Sequence, residues 1–242
     1  MVNEGRLVNE KRRALVNDIY ERYTTEIENS FVNTTICENN DLRSKRVTGT
    51  KQTDIVFEHM DSVSAVMKYA GEDTAILNFA NYETPGGGFL YGAMAQEEAL
   101  CLESTLYPVI SNHEFYYKEN RQSLNYVGVL YSNRALWSPG IVFFRDGKEK
   151  YCDVITCAAP NASAYLSAGG SKVVNEKALY DRICFIIDEA VNRGTKTLIL
   201  GAFGCGVFGQ SPYILGYLYR QLLQNTMGYS IVLYLLLLTK RH

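Results

Sequence analysis

The stretch Leu77–Glu103, LNFANYETPGGGFLYGAMAQEEALCLE, decides how this chain folds. It is entered through an unbroken apolar run, Ala75 to Phe79, without the alternation of a half-exposed strand, so that strand is expected to be covered on both faces. Thr84-Pro85 signals a turn, and Gly86, Gly87 and Gly88 follow. Three successive glycines give up side-chain packing and cost ordering entropy, so they belong where backbone must come close to something. Successive amides freed of side chains form a concave anion site, suited to phosphate. After a seven-residue spacer come Gln96, Glu97 and Glu98, where an apolar helical pattern starts. A carboxylate beside such a cradle can supply acid–base chemistry. Neighbouring helical residues point about 100° apart, so Glu97 and Glu98 are expected to differ in role. The order strand, glycine loop, helix places the glycines beyond the carboxyl end of a strand, where open α/β sheets bind ligands.

Outward from this stretch, strands and helices alternate. Residues 4–28 carry Leu7, Ala14, Leu15, Ile19, Tyr20 and Tyr23 at helical spacing, and Phe31 to Thr53 reads as a polar loop containing Arg43, Lys45, Arg46 and Lys51. A short strand is expected at Asp54–Phe57, then a helix capped by Asp61 and stopped at Gly71. Ala95 to Tyr107 reads as one helix ended by Pro108, and the aromatic stretch 111–135 as a helix and loop wrapping the site. Arg145-Asp146-Gly147-Lys148 marks the turn of a hairpin between Ile141–Phe144 and Tyr151–Ala158. Beyond the loop Ala158–Gly170, a helix over Asn175–Arg193 closes at Gly194, and Thr197–Leu200 is a buried strand. Gly201 to Gln210 is a second glycine loop, after which Ser211 caps and Pro212 opens a helix. Ile231–Leu238 is the last strand. The alternation argues an α/β architecture around a central, mostly parallel sheet.

Composition narrows the function. A chain of 242 residues makes one large domain, or one domain with an appendage. With a net charge of −2 and pI near 6.0, neither a general nucleic-acid surface nor a membrane-binding face is expected. A polyanionic ligand would be held by local backbone donors. The six cysteines form no C-x-x-C pair and mostly sit in apolar runs, as buried thiols do. Three histidines lie apart from them, so no zinc site is expected. The polar N-terminus does not read as a secretory signal, and Ile231–Leu238 is too short to span a bilayer. A soluble, intracellular protein is expected, cytoplasmic, or nuclear in a eukaryote. The second loop lacks the Gly-Lys-Ser/Thr ending of a Walker loop, which disfavours magnesium-dependent triphosphate hydrolysis. Cys205 has no histidine nearby in sequence, so a backbone phosphate contact is favoured over thiol chemistry.

The glycine triplet, its spacer and Gln96-Glu97-Glu98 resemble the signature of poly(ADP-ribose) glycohydrolases, especially the compact microbial branch of the macrodomain superfamily. Asn78-Phe79-Ala80-Asn81 is similar to that family's strand end, and Gly201–Gly209, GAFGCGVFG, resembles the macrodomain phosphate loop. Smaller echoes occur at Ser138–Asp146 and Val154–Asn161. The resemblance implies a macrodomain-like three-layer fold over 54–242, with residues 1–53 as a helical extension packed on it. It implies hydrolysis of ribose–ribose O-glycosidic bonds, with Glu98 as acid/base and with Gln96 and Glu97 holding substrate hydroxyls or orienting the site. Asn81 would meet the terminal ribose. Gly86, Gly87 and Gly88 would face ADP-ribose across from Gly204, Cys205, Gly206, Val207 and Gly209 around the diphosphate, and Phe208 would set the distal ribose. The partners implied are poly(ADP-ribose) or ADP-ribosylated proteins, with ADP-ribose as product, no metal or other cofactor, and no direct nucleic-acid or membrane partner. Gln210-Ser211 departs from the Asn or Asp of related loops. Two alternatives stay open from sequence: a non-catalytic ADP-ribose-binding module, and a hydrolase of mono-ADP-ribosyl adducts.

Overall fold

A computed structural model describes residues 2–38, 54–122, 128–225 and 232–236. The expected run Ala75–Phe79 forms β3 (Thr74–Phe79), buried along its length up to a half-buried Phe79. It lies inside a seven-stranded sheet of order β1-β4-β5-β3-β6-β7-β2. The other strands are β1 (Thr35–Glu38), β2 (Ile55–Glu58), β4 (Arg134–Arg145), β5 (Lys148–Cys157), β6 (Thr197–Gly201) and β7 (Val232–Leu236). Four neighbour pairs are parallel (β5–β3, β3–β6, β6–β7, β7–β2), whereas β4 runs antiparallel to both β1 and β5. Because β5, β3 and β6 are adjacent and parallel, the loops leaving their carboxyl ends meet at one rim of the sheet.

The sheet separates two apolar cores, as period-two alternation demands. Ile76, Leu136, Val142, Val154 and Ile199 point into a core shared with α3 (Ser62–Tyr69), α4 (Gln96–Leu102), α5 (Leu106–Ser111) and α6 (Glu114–Gln122). Ala75, Leu77, Trp137, Ile155, Leu198 and Leu200 point the other way, against α8 (Lys172–Asn192) and α9 (Pro212–Asn225). Between β5 and α8 lies the short α7 (Ala162–Ser167), inside what reads from sequence as a plain loop. The hairpin turn Asp146-Gly147 has φ of 52° and 72°, the double left-handed geometry that suits a two-residue connection between twisted strands. Asp61 caps α3 by accepting the Ser64 N–H at 3.0 Å.

Four expectations need correction. The helix over 4–28 is two helices, α1 (Val2–Arg22) and α2 (Thr24–Asn33). The break falls at Tyr23, whose ring stacks on Phe144 at 5.5 Å and whose hydroxyl donates to Glu149. Leu7 and Tyr20, placed on the apolar face from spacing, are exposed. Secondly, the loop expected from Phe31 is helix to Asn33 and then β1, an edge strand on β4, so the N-terminal extension is not purely helical. Arg43, Lys45, Arg46 and Lys51 lie outside the described residues. Thirdly, Pro108 does not end a helix over 95–107; it sits in the first turn of α5, where its missing N–H leaves no bond unmade. Fourthly, β4 starts at Arg134, since the chain passes Pro139-Gly140 as a bulge, with Gly140 at φ 65°.

Candidate active site

The loops after β3 and β6 enclose a cleft of about 250 Å³ at the rim of the sheet. One wall is Phe79–Asn81, Gly87, Gly88 and Ala95–Glu98; the other is Ala159, Ala202–Gly204 and Gly206–Phe208. Among the site residues expected from sequence, Gly86, Cys205 and Gly209 stand behind this lining.

Glu98 is 7% exposed. Its Oε1 accepts the Gly88 N–H at 2.9 Å and its Oε2 the Ala95 N–H at 3.0 Å. The second bond is half of a capping box; Ala95, having no side-chain acceptor, cannot return it. Glu97 is 3% exposed and accepts the Asn81 N–H at 2.8 Å and the Asn78 amide at 3.2 Å. Burial pushes its pKa up to about 8, against the lowering effect of the Asn81 and Asn78 donors. The shift favours the protonated carboxyl. Asn78 Oδ1, fully buried, accepts no hydrogen bond among the described residues.

The two glutamates leave the helix in different directions, yet both reach Gly87. A Cβ there would lie 2.8 Å from Glu98 Oε1 and 3.0 Å from Glu97 Oε2, and φ is +55°. The triplet is thus glycine because two carboxylates fold back against it. Its amides are not the open phosphate cradle expected from sequence: the Gly87 N–H goes to Thr84 O, the Gly88 N–H to Glu98, and the Gly86 N–H acts on Glu97.

The open amides are in the other loop, and only in part. Cys205 N–H is bonded to Ala202 O, Gly209 N–H to Gly206 O and Gln210 N–H to Gly204 O. Those of Gly206, Val207 and Phe208 have no acceptor among the described residues. The Cys205 amide is therefore already committed, unlike those of its three successors. Burial pushes the Cys205 thiol up to about 11, which also argues against nucleophilic use. Gly204 and Gly209 both have positive φ, and Gly209 presses on the Ser163 side chain, so neither position has room for a Cβ. Gln210, the departure from related loops, turns inward. It forms a reciprocal amide pair with Asn175 at 2.9 and 3.0 Å and donates to Pro160 O, bolting the loop to α8.

Gln96 lines the cleft, but its amide is committed to β3 and α3. Its Oε1 accepts the Phe79 N–H at 2.8 Å; its Nε2 donates to Leu77 O at 2.9 Å and Ser62 Oγ at 3.2 Å. Of the two roles the resemblance offers it, orienting the site fits these bonds. Asn81 takes the Glu83 and Thr84 N–H groups on Oδ1, leaving Nδ2 hydrogens for a ligand. Phe208 is half-buried with its ring 6.1 Å from that of Tyr131, which stacks on Tyr82 at 4.2 Å. Tyr131 itself holds φ 58°, a strained conformation for a bulky residue. Its carbonyl is fixed by Arg182, a buried guanidinium that donates to the carbonyls of Leu130, Tyr131 and Ala158 and to Asn133 Oδ1. Sequence reasoning passed over Arg182 and singled out no residue within 111–135; a charge amid the apolar positions of α8 was the available hint. No group of three or more His, Cys, Asp or Glu placed to hold a metal occurs among the described residues.

A sheet rim where free amides of one loop face a buried carboxylate pair in another defines a macrodomain-type ligand cleft. Residues 2–146 match the family described as microbial-type PARG, catalytic domain, so the chain belongs to the microbial-type poly(ADP-ribose) glycohydrolase family. Solved structures agree. Poly(ADP-ribose) glycohydrolase from Thermomonospora curvata, bound to the inhibitor ADP-HPD, is 26% identical with a TM-score of 0.82, covering 96% of this chain and 95% of that one. The enzyme from Deinococcus radiodurans in complex with ADP-ribose is 29% identical with a TM-score of 0.78, covering 89% and 92%. No curated protein sequence gives a significant match. Among the described residues, no helix is long and apolar enough to cross a membrane.

Proposed function

We propose that this chain hydrolyses the ribose–ribose O-glycosidic bond of poly(ADP-ribose) and releases ADP-ribose, with Glu98 as the acid and then the base. One observation carries the mechanism. Glu98 is buried, locked by two backbone N–H groups, and faces the cleft whose opposite wall offers the free amides of Gly206, Val207 and Phe208. Those amides suit a diphosphate, and Phe208 and Asn81 suit ribose faces and hydroxyls. Glu98 donates its proton to the departing ribose oxygen while positive charge develops at the anomeric carbon. The bound diphosphate stabilises that charge. Ionised Glu98 then takes a proton from the water that attacks the anomeric carbon. Glu97, protonated and hydrogen-bonded to Asn78 and Asn81, holds the strand end in register and places a neutral group beside Glu98. ADP-ribosylated proteins carrying the polymer are the proposed physical partners.

The test is release of ADP-ribose from labelled polymer by wild type and Glu98→Gln. The variant keeps one acceptor oxygen but no titratable proton. Its rate is expected to fall by about 10²-fold or more, the scale of a lost acid/base group, while ADP-ribose still binds. Binding of polymer by wild type without release would instead support a binding module. Release from mono-modified protein but not from polymer would support the adduct hydrolase.

A further inference from the structure

The two N–H groups that grip Glu98 belong to the two ends of one excursion, residues 88–95. Between them a short 3-10 turn, Phe89–Tyr91, buries Phe89 and projects Tyr91 into solvent, 76% exposed, and Met94 beyond it is 66% exposed. Helix α1 braces this excursion. Asn9 donates to Leu90 O at 3.1 Å, and Val8 packs where Gly92 has no side chain. Arg12 lies over the Phe89 ring at 5.0 Å and reaches the Met94 sulfur. Among the described residues, Arg13 is tethered only by Nε to Asn9 Oδ1. Neither Arg12 nor Arg13 has a carboxylate partner among the described residues, although carboxylates outnumber cations in this chain. None of Tyr91, Met94, Arg12 and Arg13 lines the cleft.

We infer that Tyr91, Met94 and the two arginines form a subsite for the ADP-ribose unit on the departing side of the scissile bond. This rests on the proposed polymer hydrolysis and adds to it. A glycosidic bond cut at Glu98 has one unit in the cleft, and the other must run out past the acid. The excursion is clamped to that acid at both ends, so it borders the exit. The departing unit offers a purine face and two phosphates; an exposed tyrosine ring and guanidinium groups that meet no carboxylate among the described residues are the matching chemistry.

Tyr91→Ala, Arg13→Glu and the double variant should be compared with wild type on poly(ADP-ribose) at sub-saturating concentration, with ADP-ribose affinity measured in parallel. Both side chains are exposed and the variants should fold. For the double variant kcat/KM on polymer is expected to fall by about tenfold or more, the scale of one lost base–aromatic stack, with ADP-ribose affinity unchanged. Unchanged polymer hydrolysis would overturn the subsite, as would an equal loss of ADP-ribose affinity. Slower release from mono-ADP-ribosylated protein alone would assign the surface to the protein acceptor and overturn it too. A wild type that releases nothing from polymer would fail differently, removing the proposed function itself.

Discussion

Gly87→Ala separates backbone strain from damage to the carboxylates, because Gly147 provides the control. Both glycines have positive φ, +55° and +72°. Either substitution puts an L-residue in the left-handed region at a cost of about 1–2 kcal/mol. For a chain of this size that corresponds to a melting shift of about 2–8 °C. The surroundings differ: a Cβ on Gly147 meets nothing within 4 Å, whereas one on Gly87 lies 2.8 Å from Glu98 Oε1 and 3.0 Å from Glu97 Oε2. Those oxygens cannot retreat freely, since the Gly88 and Asn81 N–H groups hold them at 2.9 and 2.8 Å. A misplacement approaching 1 Å at a reacting group costs on the order of 10²-fold in rate. ADP-ribose release from polymer by Gly87→Ala should therefore fall by about that factor, while Gly147→Ala works at the wild-type rate. Calorimetry gives the melting shifts and a polymer-release assay the rates. If Gly87→Ala keeps the activity of Gly147→Ala, the carboxylate collision is not real and the proposed placement of Glu98 fails with it.

Three further outcomes follow from the same coordinates. The pKa of Glu97 rises from 4.5 unfolded to about 8 folded, so the folded state binds its proton more tightly; its stabilisation is full below about pH 4.5 and lost as pH rises to about 8. Urea midpoints at about pH 5 and about pH 8 should show a smaller decline for Glu97→Gln than for wild type. Arg182→Ala strips four acceptors of a buried cation and should destabilise by about 3 kcal/mol or more in urea unfolding. Arg182→Lys should rescue little, because one ammonium cannot reach them all. Phe208→Ala should weaken ADP-ribose binding by roughly three- to tenfold in calorimetric titration, the scale of one lost ring contact.

What the sequence discloses here is what local chemistry dictates. The apolar run at Ala75–Phe79, the Asp61 cap and the Asp146-Gly147 turn are each written in a few adjacent residues, and each forms as read. Sequence fails where distant groups decide. Strand β1 buries only Cys37 among its four residues, so no alternation announces it; its partner on β4 makes it a strand. The amides of Gly86–Gly88 look free until α4 turns Glu97 and Glu98 back onto them. The hairpin strand is expected only from Ile141 because a bulge at Pro139-Gly140 inside a paired strand has no signature of its own. Tyr131 gives no local sign of its left-handed backbone, and Arg182, which holds its carbonyl from α8, lies far along the chain.

Strand β1 has a bearing on how this protein can be trimmed. Thr35 to Glu38 cover the outer side of β4, pairing with Trp137 through Arg134. A fragment starting at residue 54 would bare that row of backbone donors and acceptors, offering neighbouring copies a seam to join. It would also lose α1, the buttress of the excursion that grips Glu98. Truncation there should give clumping, catalytically poor material instead of a minimal enzyme.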